Sequence, residues 1–195
     1  MDIKEVERYT QIIIPNIEKE LTQETDSEKL LKLYNLYHDI LIMIAPHDFI
    51  TYNKALELEE DKSNANRGFY HHRKNHIGVI FESLNDMEIY DKYDLLLISL
   101  PPRIGKTTSG IRFLSWIMGR HPENTQLATS YSDSITSSFY AGAIEIVLTD
   151  IYQKIFPQSP LVNQNAKRQE IWLRVIKRYP SIGFVSIGGS MTVVS

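Results

Sequence analysis

Gly105-Lys106-Thr107 are the residues of this chain whose types and order speak most directly of chemistry. They close the stretch Leu100-Pro-Pro-Arg-Ile-Gly-Lys-Thr-Thr108. The apolar run Asp94-Leu-Leu-Leu-Ile-Ser-Leu100 ahead of it reads as a buried strand, and Lys106 to Met118 reads as a helix. A strand, a tight loop and a helix opening on Gly-Lys-Thr form the layout of a phosphate-binding loop. The loop's N–H groups and the positive end of the helix would face an anion. Lys106 would reach the β and γ phosphates of a nucleotide as a mobile point charge, and the Thr107 hydroxyl would hold Mg²⁺.

The loop departs from the usual spacing. Leu100 stands where the first glycine of such a loop normally lies, and Pro101 and Pro102 each lack an N–H. Fewer donors remain to cradle phosphate. Arg103 can offset that loss, because its planar, permanently charged fork suits phosphate oxygens. The competing reading is a turn that merely contains Gly-Lys-Thr before an ordinary amphipathic helix. The flanking strand and helix patterns favour the phosphate loop over it.

Two other groups of residues invite a chemical reading. His71, His72 and His76 cluster, and His72 and His76 are one helical turn apart. Zinc would need further ligands, there is no cysteine, and no nearby carboxylate is evident, so surface or ligand-facing histidines are the simpler account. Lys167, Arg168, Arg174, Lys177 and Arg178 make the C-terminal stretch basic. A solvated face explains them by default; contact with a nucleic-acid backbone is the sharper alternative.

The elements that must position these groups follow from periodicity. Residues 3–22 and 27–45 read as helices; Leu30, Leu33, Tyr34, Tyr37, Ile40, Leu41 and Ile44 make one apolar stripe on the second. Thr25-x-x-Glu28 is a candidate capping box in front of it, and Pro46 ends it. Residues 58–68 form a polar linker. Phe69 to Leu84 is a third helix, with Phe69, Ile77, Ile80, Phe81 and Leu84 inward. After the loop, the helix should end near Gly119, a natural C-cap before His121-Pro122. Thr125 to Tyr131 reads as a strand, and a helix follows from Ser132 or Asp133 to about residue 149. Residues 170–176 and 182–187 are two further strands around a Tyr179-Pro180-Ser181 turn. Strand, loop, helix, strand, helix predicts right-handed crossovers, a parallel sheet, and ligands at the carboxyl ends of its strands.

Bulk properties narrow the class. With 195 residues, 43% hydrophobic and 21 Lys+Arg against 24 Asp+Glu, this is the composition of a soluble globular protein. No apolar run approaches a membrane span, and the charged start lacks a secretory signal core. The absence of cysteine excludes disulfides and thiolate metal sites and suits a cytosolic setting. Charge is uneven: residues 1–66 hold 14 acids and 7 bases, whereas residues 67–195 hold 10 acids and 14 bases. Two units with different partners are expected, a helical segment over 1–66 and an α/β core over 67–195.

From His76 onward the chain resembles the ATPase domain of the large terminase subunit of tailed bacteriophages. His76-Ile-Gly-Val-Ile-Phe-Glu-Ser-Leu84 is similar to the helix preceding that family's loop. Leu97-Ile-Ser-Leu-Pro-Pro-Arg-Ile-Gly-Lys-Thr107 is similar to its deviant Walker A, which pairs two prolines with a basic residue before Gly-Lys. Trp116-Ile-Met-Gly-Arg-His-Pro122, Ala128-Thr-Ser-Tyr-Ser132, Ile151-Tyr-x-x-Ile155-Phe-Pro157 and Ile187-Gly-Gly-Ser-Met-Thr192 follow in order. The resemblance covers residues 70–192. It implies a P-loop NTPase of the additional-strand (ASCE) type, its parallel sheet flanked by helices and incomplete here, behind a helical N-terminal segment.

It also implies roles. ATP and Mg²⁺ would be the cofactors, held by Pro102, Arg103, Ile104, Gly105, Lys106, Thr107 and Thr108, with Thr107 on the metal. Lys106 and Arg103 would be catalytic, Arg103 as a built-in arginine finger. His76 marks the region of the adenine contacts; Asn75 and Tyr70 are substitutes there. The implied partners are double-stranded viral DNA, the small terminase subunit, the portal protein and further copies in a ring, in bacterial cytoplasm and without a membrane.

One departure from the family's pattern bears on activity. There, the segment after Gly188-Gly-Ser-Met-Thr192 leads to a Walker B strand ending in acids that order Mg²⁺ and activate water. Here the sequence given reads Thr192-Val-Val-Ser195, and neither that strand nor the nuclease domain is in it. The expectation is the ATP-binding front portion of the motor, with little hydrolysis of its own. The alternative is a non-catalytic fragment acting only in binding and assembly through residues 1–66.

Overall fold

The computed structural model describes residues 1–58 and 68–187. The chain folds as two compact units, residues 1–104 and 105–195, each with its own internal packing. The expected polar linker at 58–68 and the Gly188–Ser195 segment fall almost wholly outside the described residues.

The first unit is helical. Helix α1 (Ile3–Arg8) passes through a π-helical turn at Tyr9–Ile13 into α2 (Ile14–Gln23). Pro15 lies at the start of α2 and cannot donate, and the Ile14 N–H bonds Tyr9 O, five residues back. Helix α3 (Ser27–Ile44) is capped by Asp26, whose carboxylate accepts from Glu28 N at 2.9 Å and Lys29 N at 3.1 Å. The expected Thr25 cap is therefore displaced by one residue, and Glu24 Oε1 takes the Thr25 and Asp26 N–H groups instead. Only the C-terminal half of the α3 stripe is buried: Tyr37, Leu41 and Ile44 are inside, whereas Leu30 and Tyr34 face solvent.

Between Pro46 and the linker, where periodicity announces no helix, α4 (Phe49–Leu58) forms. Its start is fixed by Asp48, which accepts Thr51 N at 2.6 Å, and by Asn85 Oδ1, which accepts Phe49 N at 2.9 Å. Helix α5 (Phe69–Ile89) packs on α4 and buries Phe69, Ile77, Ile80, Phe81 and Leu84, as the periodicity required. Phe49 stacks on Phe81 at 4.9 Å between ring centroids, and Tyr70 meets the same ring at 5.0 Å. The Glu57 carboxylate accepts the Tyr70 and His71 N–H groups and so caps α5. Glu18 is held between Tyr37 Oη and Lys54 Nζ, both at 2.7 Å; burial pushes its carboxyl pKa up, and these two hydrogen bonds bring it below its ordinary value.

The second unit is α/β. Helix α6 (Lys106–Arg120) leads to β1 (Gln126–Ser130), α7 (Asp133–Val147), α8 (Asp150–Ile155), β2 (Leu161–Asn165), β3 (Glu170–Leu173) and β4 (Ile182–Ser186). The sheet order is β1-β4-β3-β2. Only β1 and β4 are parallel; β3 runs antiparallel to β4, and β2 antiparallel to β3. The expected parallel sheet is thus corrected, among the described strands, to a mixed one. Short turns after β2 and β3 return the chain immediately, and a parallel neighbour would need a crossover. Helix α7 covers one face through Tyr140, whose ring meets Phe184 edge-on at 6.1 Å. Ile171, Leu173 and Ile182 are buried with Phe184.

Gly119 is not the C-cap. Helix α6 continues to Arg120, and Gly119 is buried inside it against the Phe156 ring. A Cβ at Gly119 would lie 2.4 Å from Phe156 Cδ2. Ser159 Oγ donates to Gly119 O at 2.8 Å and Tyr152 Oη to Ser115 O at 2.9 Å, so α6 is bound along its last turns to α8 and the loop after it.

Two outcomes follow. Gly119→Ala should destabilise the second unit by about 1–3 kcal/mol, through forced displacement of a packed ring. Both tryptophans, Trp116 and Trp172, lie in that unit, so urea unfolding followed by tryptophan fluorescence reads it directly; an unchanged midpoint would contradict the packing. In the first unit, burial raises the Asp48 carboxyl pKa. A raised folded-state pKa means that stability is greatest below the unfolded-state value and is lost as pH rises through the folded one. Asp48→Asn keeps an acceptor for Thr51 but carries no charge. It should match or exceed the parent in melting temperature at neutral pH, with the difference closing in acid; a larger deficit at neutral pH than in acid would refute this.

Candidate functional site

The second unit has a defined polarity that decides where α6 begins. Gly110 of α6 lies beside Phe139 of α7, and Gly142 of α7 lies beside Ile111 of α6, at 3.4 and 2.9 Å for an added Cβ. Further along, Ser115 and Gly119 of α6 meet Tyr152 and Phe156 at and just after α8, which directly follows α7, so α6 and α7 run in the same sense and start at the same end. Helix α7 starts just beyond Ser130, the carboxyl end of β1. The first turn of α6 therefore sits at the carboxyl end of the parallel pair β1 and β4. That is the end at which α/β sheets bind ligands.

The backbone leading into that turn is specialised. Gly105, the N-cap, has φ 109°, a conformation that a side chain strains. Arg103 has φ 67°, a left-handed value uncommon outside glycine, asparagine and aspartate. Gly105 has no side chain with which to cap α6. Its first backbone bond runs from Ser109 N to Gly105 O at 2.9 Å, so the N–H groups ahead of it point out of the end of the helix. Lys106 and Thr107 are exposed, as are Pro101, Pro102 and Arg103; Ile104, Gly105 and Thr108 are half-buried. Ser109 is buried and returns its hydroxyl to Gly105 O at 3.0 Å. The residues read from sequence as a phosphate loop thus form a turn that leads into a helix, with Lys106 and Thr107 exposed at its start.

The strand expected ahead of the loop is not formed. Residues 94–100 adopt no regular structure, and Leu95, Leu97 and Ile98 are 74%, 84% and 42% exposed. A strand needs a neighbour to take its backbone groups, and none of the described strands pairs with this run. An apolar pattern announces burial without naming the partner that supplies it.

The other sequence candidates are sorted by burial and bonding. His76 and Asn75 are exposed on α5 in the first unit. Tyr70 is buried against Phe81, which removes it as an adenine contact; burial also raises its phenol pKa to about 12. His71 and His72 meet edge-on at 5.6 Å, and among the described residues no group of three or more His, Asp or Glu is placed to hold a metal. Lys177 serves the fold: its Nζ donates to Pro122 O at 2.8 Å and Asn124 O at 3.0 Å, and burial lowers its pKa. Lys167, Arg168, Arg174 and Arg178 remain exposed.

Sequence reading passed over two features of this end. Ser186, buried at the end of β4, donates to the Asp133 carboxylate at the start of α7. Tyr131, directly after β1, is 86% exposed. Neither has a spacing signal; only the pairing of β1 with β4 brings them to one edge.

No family model, curated protein or solved structure matches this chain. The fold defines a two-unit α/β protein with a small mixed sheet, and among the described residues no helix is long and apolar enough to cross a membrane.

The backbone at Gly105 gives the site's own test. Gly105→Ala should lower the stability of the second unit by about 1–2 kcal/mol, because an L-residue there takes a left-handed conformation. Gly78→Ala, on α5 with open space around it, is the control and should stabilise slightly or not at all. Equal effects in chemical denaturation would remove the special status of the turn.

Proposed function

We propose that this chain binds ATP·Mg²⁺ at the start of α6, as the nucleotide-binding portion of a DNA-packaging motor of the terminase large-subunit kind. The observation that carries the reading is the exposed Lys106-Thr107 pair behind a left-handed glycine, at the carboxyl end of β1 and β4. In this reading the N–H groups at the start of α6 bind phosphate oxygens, and the helix dipole adds a favourable field. Lys106 neutralises the β and γ phosphates, Thr107 Oγ1 ligates Mg²⁺, and Arg103 approaches the γ-phosphate from its exposed turn. The bound metal ion would supply charge neutralisation of the phosphate tail. Duplex DNA, a small terminase subunit, a portal protein and further copies of the chain are the partners that the motif resemblance implies.

The loop's two prolines and missing first glycine predict modest affinity. Calorimetric titration with ATP·Mg²⁺ should show saturable binding by the parent chain. Lys106→Ala should reduce affinity at least about tenfold, the loss of one charge-assisted contact of some 1.5–3 kcal/mol. Indistinguishable titrations for the two proteins would end the nucleotide reading.

A further inference from the structure

We propose that the carboxyl end of the sheet holds a surface for an unpaired nucleic-acid strand, with Tyr131 as a base-stacking platform and Lys167 and Arg168 as phosphate contacts. The inference deepens the nucleic-acid part of the function proposed above and rests on it. It adds that this surface prefers unpaired bases to a closed duplex.

The placement comes from register. Ser130 pairs with Ser186 at the ends of β1 and β4, and the Ile187 N–H continues the ladder to Ser130 O at 2.8 Å. Tyr131 and Ile187 therefore leave the sheet side by side, 86% and 70% exposed. On the other side of β4, the Phe184 N–H reaches Gln169 O at 3.0 Å, so the turn between β2 and β3 emerges at the same end. Gln169 Nε2 donates to Ser137 Oγ of α7 at 2.7 Å, and Arg168 N bonds Asn165 Oδ1 at 3.0 Å, which fixes that turn. Lys167 and Arg168 on it are exposed. Two strand spacings separate Tyr131 from this turn, about 10 Å of backbone, a gap that long cationic side chains and an aromatic ring can bridge around one strand.

The chemistry selects the partner. An exposed tyrosine ring at the same end of the sheet as two exposed cations offers a π-face for any base and charge for its phosphate. A duplex presents its bases stacked on one another and leaves the ring nothing to stack on. Two acids lie at this end: Asp133, engaged by Ser186, and Glu170, half-buried at the start of β3. Tyr131 makes no contribution to the core that would explain its size.

The test is fluorescence anisotropy with labelled oligothymidylate of about 20 nucleotides, longer than the roughly 4–16 that such surfaces cover. An oligouridylate of the same length and a duplex of the same length form the other arms, and the uridylate arm tells RNA from DNA. The parent chain should bind at least one single strand more tightly than duplex. Tyr131→Ala should weaken that binding about tenfold, the effect of one lost stacked base, and leave duplex and ATP binding unchanged. Replacing Lys167 and Arg168 together by serine should make the salt dependence shallower by about 1.4 in log–log slope, at roughly 0.7 per cation. All three residues are exposed, so the variants should fold as the parent does. No strand binding by the parent, or strand binding indifferent to Tyr131→Ala, overturns the inference. Strand binding that needs Tyr131 in a chain that binds neither ATP nor duplex upholds it and sinks the motor reading instead.

Discussion

The second unit depends on one close approach, the Phe156 ring lying flush against the bare backbone of Gly119. No other residue leaves room for that ring within α6. The contact is reinforced by hydroxyls on both sides, Ser159 on Gly119 O and Tyr152 on Ser115 O. It sets the axis of α6 from its far end. With the Gly110 and Gly142 contacts to α7, it determines that Lys106 emerges beside the ends of β1 and β4. The chemistry proposed at the helix start is positioned by packing about four turns away.

Much of this was legible in the sequence because it rests on local periodicity. The apolar face of α5, the strand at β1, the extent of α7 and the pair β3 and β4 around Tyr179-Pro180-Ser181 all follow from spacing. Other elements depend on partners that spacing does not name. Helix α4 was hidden because Phe49, Thr51, Tyr52, Asn53 and Ala55 are buried on nearly every side, so no single stripe stands out. Strand β2, Leu161–Asn165, is polar and lies at the edge of the sheet, where alternation has no hydrophobic face to follow. The leucines at 95–97 failed in the opposite way: a strong apolar signal, with no strand among the described residues to receive it.

The candidate site shows the same division. Gly105, Lys106 and Thr107 could be read directly, since the motif requires a glycine that reaches positive φ and the backbone supplies it at 109°. The separation of structural from accessible cations could not. Lys177 and Arg178 are neighbours in the basic stretch, yet one is bonded to two carbonyls and the other lies over the Tyr179 ring at 5.3 Å. Side-chain type gives charge; only the fold decides whether it is spent internally.

Among the described residues, strand β1 is paired on one side alone. Gln126, Ala128 and Ser130 turn their backbone groups to β4, whereas those of Leu127 and Thr129 point away from it. One five-residue strand thereby carries two populations of amide, alternating along its length. The first set is locked until the sheet opens, and the second trades hydrogen for deuterium while the fold stays intact. Local opening of this sheet can thus be told from unfolding of the whole unit within a single strand.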